Sequence, residues 1–287
     1  MSFCSSLYDK LHFPHLLKTT ISGRGKTTVV LLHGLAGNRH IWDPVMRSLE
    51  HHYHCVSIDL LGHNDSPKPT NIDYTIDAHL DSIRWTLFWR GIWGKKILVG
   101  HSMGSLISVH WARRFPRGVQ RLVLVAMPLY RRIEPDAKRL KRFEGMVDGV
   151  YLRFYQALRS APQSWTIRSA QGLIKRLPGL VGQASLSAET WYPVASSLKS
   201  TIEDQITTQE IAELSETLPI DVIYGALDQL VLSSNLVRTF GERPNVRLRR
   251  VLTAHEISPI YIRAVVRAIT HDPVDHAPVA KPTQDRQ

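Results

Sequence analysis

The strongest chemical signal in this chain is a serine held between two glycines. Residues 100–104 read Gly-His-Ser-Met-Gly, directly after the apolar run Ile97-Leu98-Val99 and directly before a stretch with helical patterning. A G-x-S-x-G pattern between a strand and a helix makes a sharp elbow that lifts the serine oxygen clear of the backbone. Such a turn strains the serine, so the residues two places to either side must be small. Gly100 and Gly104 meet that need. A serine hydroxyl is a poor nucleophile at neutral pH and needs a base beside it, with an acid to hold the base. Asp228, in Gly225-Ala226-Leu227-Asp228, and His255, in Thr253-Ala254-His255, each lie just past an apolar run of strand character. They are the expected acid and base, with Ser102 the expected nucleophile.

Attack on a carbonyl also needs donors for the oxygen that becomes negative. One expected donor is the backbone N–H of Met103, at the start of the helix. The other is the N–H of Leu35, in the loop His33-Gly34-Leu35-Ala36-Gly37 that follows the first apolar run. His33 is expected to brace that loop rather than act as a base, and Gly34 to let substrate approach. His101 is expected to pack beside the elbow. Asp59 and Asp65, with His63 between them, are expected to order a turn-rich loop through turn hydrogen bonds. No cluster has the spacing of metal ligands, so no metal is expected.

The elements that must position these groups follow from periodicity. Val29–Leu32, Tyr53–Ile58, Lys96–Val99, Val119–Ala126, Ile220–Tyr224 and Val246–Leu252 read as strands. Between them, 42–50, 76–89, 103–114, 233–240 and 258–269 read as helices. Near-continuous apolar strands alternating with helices imply a mostly parallel sheet covered on both faces. In such a sheet, ligands bind beyond the carboxyl ends of the strands, where Ser102, Asp228 and His255 all fall. The alternation stops at Pro128 and resumes near residue 219. The chain therefore divides into a core of 1–127 and 219–271, an inserted helical lid over 128–218, and a disordered tail over 272–287 rich in proline and polar residues.

Composition narrows the function further. A chain of 287 residues buries a large core. Its two cysteines, Cys4 and Cys55, suit neither a disulfide framework nor a metal knuckle, which fits a reducing compartment. There is no basic-then-apolar leader and no apolar run long enough to span a bilayer, so a cytoplasmic protein without stable membrane insertion is expected. The formal charge is +11, with much of the basic excess between Arg131 and Arg176. It reads as a solvated helical surface, with attraction of an anionic partner as the sharper alternative. No aromatic-basic nucleic-acid motif is present. Lid aromatics such as Trp165, Trp191 and Tyr192 read mostly as core, with a few available to line an apolar pocket. Nothing in the pattern fixes the oligomeric state.

The chain resembles the α/β-hydrolase superfamily. The matching pieces are His33-Gly34 with Gly37, the segment Asp59-Leu60-Leu61-Gly62-His63-Asn64-Asp65-Ser66-Pro67, the elbow at Ser102, Gly225 to Asp228, and His255. The chain order serine, aspartate, histidine is that of the family's triad. The resemblance implies a three-layer fold with an eight-stranded, mostly parallel sheet, an inserted lid and no cofactor. It points to lid-bearing carboxylesterases and to carbon–carbon hydrolases of ring-fission products. A serine at position 102 argues against epoxide hydrolases and haloalkane dehalogenases, which use aspartate there. Asn64 stands where the family usually has glycine, and asparagine tolerates the left-handed region that the turn requires. Ser105 replaces a common glycine, which alters helix packing. The loop after His33 lacks the Gly-Pro-Gly of ring-fission hydrolases, which favours a partly apolar small-molecule ester. A carbon–carbon hydrolase, an acyl transferase and a small-molecule receptor on the same scaffold are the alternatives.

Overall fold

The computed structural model describes residues 14–130 and 186–270. Among these, seven strands form one sheet: β1 (Thr19–Ser22), β2 (Thr27–Leu32), β3 (Tyr53–Ile58), β4 (Lys96–His101), β5 (Val119–Val125), β6 (Ile220–Gly225) and β7 (Val246–Val251). The spatial order is β1-β3-β2-β4-β5-β6-β7. β1 runs antiparallel to β3, and the other neighbours are parallel. The fold is the expected three-layer one, with seven strands among the described residues where the resemblance implies eight. The short edge strand Thr19–Ser22 escaped the sequence reading because TTIS lacks a continuous apolar run. Its residues are half-buried or exposed.

β4, β5 and β6 are buried almost throughout, as parallel strands covered on both faces should be. The edge strand β7 reads Val-Arg-Leu-Arg-Arg-Val and is only half-buried. Charged side chains on an edge discourage pairing with another chain. Arg247 there pairs at 2.9 Å with Asp221 of β6.

The helices are α1 (Asp43–Leu49), α2 (Ile76–Trp89), α3 (Met103–Arg114), α4 (Ala188–Ser197), α5 (Thr207–Ala212), α6 (Ser233–Phe240) and α7 (Pro259–Thr270). Thr75 caps α2, its hydroxyl accepting from the Ala78 N–H. Ser187 and Thr190 form a reciprocal capping box on α4. α4 passes into the π-helical turn Leu198–Glu203. This stretch docks on the loop after β3: the Tyr74 N–H donates to Ser196 Oγ at 3.1 Å, and Ser200 Oγ donates to the Tyr74 carbonyl at 2.6 Å. Most of the expected lid and all of the expected tail lie outside the described residues.

The strand order decides where a site can form. From β2 the chain moves outward to β3, then returns to β4 on the other side of β2. The crevice beyond the carboxyl ends of β2 and β4 is therefore the point where the winding reverses, and loops diverge there to leave a cleft. The loop after β2 carries Leu35, and the turn after β4 carries Ser102.

Candidate active site

Ser102 sits between β4 and α3 with φ 51° and ψ −120°, in the left-handed half of backbone space that a side chain rarely occupies. Its neighbours make that turn possible. A Cβ on Gly104 would stand 2.5 Å from the Leu32 carbonyl and 2.6 Å from the His33 carbonyl, and one on Gly100 would strike the Gly104 carbonyl. Strand end, helix start and the loop after β2 thus touch backbone to backbone. The Ser102 N–H donates to the Val125 carbonyl at 2.9 Å, and the Ser105 N–H returns to the Ser102 carbonyl at the same distance. Ser105 is fully buried, and its hydroxyl also donates to the Ser102 carbonyl, at 2.5 Å. The residue that departs from glycine thereby adds a second clamp on the elbow.

Asp228 follows β6 and His255 follows β7, and both reach the same cleft as Ser102. His255 Nε2 lies 3.0 Å from Ser102 Oγ, and His255 Nδ1 lies 2.8 Å from Asp228 Oδ2. Asp228 Oδ1 accepts from the Leu230 N–H at 2.9 Å, which fixes the carboxylate plane. Ser102 is 7% exposed and His255 2%. With Nδ1–H facing the carboxylate, Nε2 carries the lone pair toward the hydroxyl. Three residues separated by up to 153 positions form one line of hydrogen bonds in a largely water-excluded site.

The loop after β2 packs directly on the nucleophile. A Cβ on Gly34 would stand 3.0 Å from Ser102 Cβ and 3.1 Å from His101 Nδ1. His33 Nδ1–H donates to the Gly34 carbonyl at 2.7 Å, and the Leu60 N–H donates to His33 Nε2 at 2.9 Å. The two bonds fix one neutral tautomer and tie the loops after β2 and β3 together. Burial holds the His33 pKa down to about 4, even though Asp59 lies near. His33 is therefore a brace that stays uncharged at neutral pH. The Met103 N–H opens α3 and has no carbonyl four residues behind it in the helix, so it is one of the free donors of a helix start. Leu35 follows Gly34 on the loop that packs against Ser102.

Further contacts around the site come only from the fold. His101 Nε2–H donates to the His255 carbonyl at 2.8 Å, holding the backbone of the candidate base. Burial, then the neighbouring His255, keep the His101 pKa down to about 3. Arg39 pairs with both Asp59 and Asp65, the latter at 2.8 Å, while its own N–H donates to Asp59 Oδ1 at 2.6 Å. The loop that turn hydrogen bonds alone were expected to order is thus centred on a buried ion pair. Asn64, at φ 43°, takes the left-handed turn position and donates to Asp59 Oδ2 at 2.9 Å. His63 and His79 are buried behind His33, with ring centroids 5.3 Å (His33–His63) and 6.3 Å (His63–His79) apart. Among the described residues, no group of three or more His, Cys, Asp or Glu side chains is placed to hold a metal ion.

Comparison with known proteins gives this geometry a family. The α/β hydrolase fold family model matches residues 27–260. The chain belongs to the α/β hydrolase fold family. Epoxide hydrolase 3 from Mus musculus is 34% identical over 109 residues, which cover 37% of this chain and 29% of that protein. Lipase 1 from Psychrobacter immobilis is 36% identical over 97 residues, covering 34% of this chain and 30% of its own. The curated relatives are thus matched over about 30% of their length. A thermophilic esterase structure from Thermogutta terrifontis superposes with a TM-score of 0.67 at 20% identity, covering 88% of this chain and 91% of the other. That likeness concerns the fold. Among the described residues, no helix is long and apolar enough to cross a membrane.

Proposed function

We propose that this α/β hydrolase is a cofactor-independent serine hydrolase that cleaves a carboxylic ester with a partly apolar acyl or alcohol part. The observation that carries this reading is the continuous line from Ser102 Oγ through His255 to Asp228, with both links at 3.0 Å or less. Ser102 Oγ attacks the carbonyl carbon while His255 Nε2 takes its proton. The negative oxygen is held by the N–H groups of Leu35 and Met103. The tetrahedral intermediate expels the alkoxide, which receives the proton from His255, and an acyl-enzyme remains. Water, deprotonated by the same imidazole, attacks the acyl carbon, and collapse returns the carboxylic acid and free Ser102. Asp228 keeps Nδ1 protonated and stabilises the imidazolium formed in each half. Positioned proton transfer supplies on the order of a hundred- to ten-thousandfold of the acceleration.

A serine rather than an aspartate at position 102 favours acyl transfer over the alkyl-enzyme chemistry of epoxide opening. The test is a panel of chromogenic esters with graded chain length, assayed with the parent protein and Ser102→Ala, together with labelling by a fluorophosphonate probe. Turnover and labelling that vanish in Ser102→Ala support the reading. Equal turnover in both proteins, or a parent protein that the probe does not label, overturns it.

A further inference from the structure

A second surface stands apart from the site, at the amino-terminal ends of the strands. Phe88 and Trp89 end α2, and Trp93 follows in the turn that leads into β4. They are 49%, 61% and 62% exposed. With Trp85 they form one aromatic cluster. Trp85 stacks on Phe88 at 5.9 Å and meets Trp89 edge-on at 5.6 Å, and Phe88 meets Trp93 edge-on at 4.8 Å. Just after Trp93 the chain is open to solvent, since a Cβ on Gly94 would meet nothing within 4 Å.

Strand register gathers cations at the strand starts that this turn leads into. Lys96 pairs with Thr28 of β2 on one side and Val119 of β5 on the other. The residues just before these three strand starts therefore share one end of the sheet. They include the exposed Lys26, Lys95 and Arg117, with the exposed Arg90 at the end of α2. The sequence has no carboxylate between Asp81 and Glu134. β4 runs for six residues from this end to His101. At roughly 3.3 Å per residue, the cluster lies about 20 Å from Ser102.

We infer that this end of the sheet docks on an anionic lipid bilayer. Indole and phenyl rings with cations beside them match the boundary layer of a membrane, where an apolar body and a polar fringe are both satisfied. The exposed cations, in a stretch without a carboxylate from Ser82 to Ile133, are complementary to anionic headgroups. The same cations oppose a second copy of this chain bound through the identical patch.

The experiment mixes the full chain with extruded vesicles of phosphatidylcholine alone or with phosphatidylglycerol, and reads binding by co-sedimentation and indole fluorescence. Binding to the phosphatidylglycerol vesicles is expected, and it weakens as salt is added. Arg90→Gln with Lys95→Gln weakens it by about thirtyfold, from about 1 kcal/mol per cation near the surface. Trp89→Ser with Trp93→Ser weakens it by at least about tenfold through lost apolar burial. Both double variants keep the parent melting temperature and the parent rate on a dissolved ester, because the patch is remote from Ser102. No binding at low salt, or equal binding by variants and parent, overturns the inference. So does a patch-dependent dimer seen by light scattering, or tighter binding of a single-stranded oligonucleotide through the same residues.

Discussion

Acid should unfold this protein at a pH where many globular proteins are still intact, and the size of the effect can be worked from its histidines. His33 and His79 are fully buried, and His101 and His110 nearly so. Burial is the largest cause of a lowered pKa in each. The pKa falls from the ordinary 6.5 to about 4 for His33 and His110, and to about 3 for His79 and His101. The opposing influences are weaker: Asp59 faces His33, Asp228 faces His101, and Asp77 faces His110. His63 moves in the same direction, from burial and from its histidine neighbours.

A group with a depressed folded pKa binds its proton more readily in the unfolded chain. Stability is therefore full above the unfolded pKa near 6.5 and is lost as pH falls below it. Each group costs about 1.4 kcal/mol per pH unit once the unfolded histidine is charged. At pH 5.5 the four groups with assigned values have together removed about 5 kcal/mol, against a typical total of about 5–15 kcal/mol. Asp221 and Glu210 act the other way: burial raises each carboxyl above the usual range, so acidification relieves two desolvated charges. Two carboxyls do not offset four imidazoles. Urea midpoints followed by tryptophan fluorescence at pH 7.5, 6.5 and 5.5 measure the effect. His110→Gln removes one of the titrating groups and should lower the slope by about 1.4 kcal/mol per pH unit. A urea midpoint that stays constant from pH 7.5 to 5.5 refutes the reasoning, as does an unchanged slope in the variant.

Other outcomes follow from particular contacts. Asp228→Asn leaves the fold and melting temperature near the parent values but lowers kcat on esters by about ten-thousandfold, because the wrong imidazole tautomer faces Ser102. Steady-state kinetics on one chromogenic ester would show it, and a loss under tenfold would contradict the assigned role. Gly104→Ala forces a methyl group against the Leu32 and His33 carbonyls. It separates the elbow from the loop after β2 and should cost about a hundredfold or more in kcat, with a lowered melting temperature. Arg39→Met strips the buried Asp59 of its cation and should cost about 3 kcal/mol in urea unfolding at pH 7.5. A loss under about 1 kcal/mol would show that Asn64 and the backbone donors suffice for that carboxylate.

Much of this arrangement is written in local patterns. Continuous apolar runs such as Val119–Val125 announce buried parallel strands because such strands are covered on both faces. The elbow is legible because only glycine fits where Gly100 and Gly104 touch backbone, and Asn64 is legible because few side chains accept a positive φ. The edge strand Thr19–Ser22 was not, since its stability comes from pairing with β3 rather than from its own composition. Long-range pairing is where local pattern ends. Arg39 is one of 36 cations in the chain, and nothing local couples it to Asp59 and Asp65. His101 looks like packing beside the elbow until the fold brings the His255 carbonyl to within 2.8 Å.

The order of residue types along the chain thus determined which groups could meet and at which edge of the sheet. The tertiary structure decided that they meet at hydrogen-bonding distance, how dry their surroundings are, and which tautomer His33 adopts. Chain-order information is one-dimensional, whereas distance, burial and charge pairing depend on how the strands wind. Here the reversal between β2 and β4 opens the crevice that brings the Leu35 loop up to Ser102. The sheet's amino-terminal end, with its aromatic and cationic residues, likewise becomes a single surface only when the starts of β2, β4 and β5 are aligned.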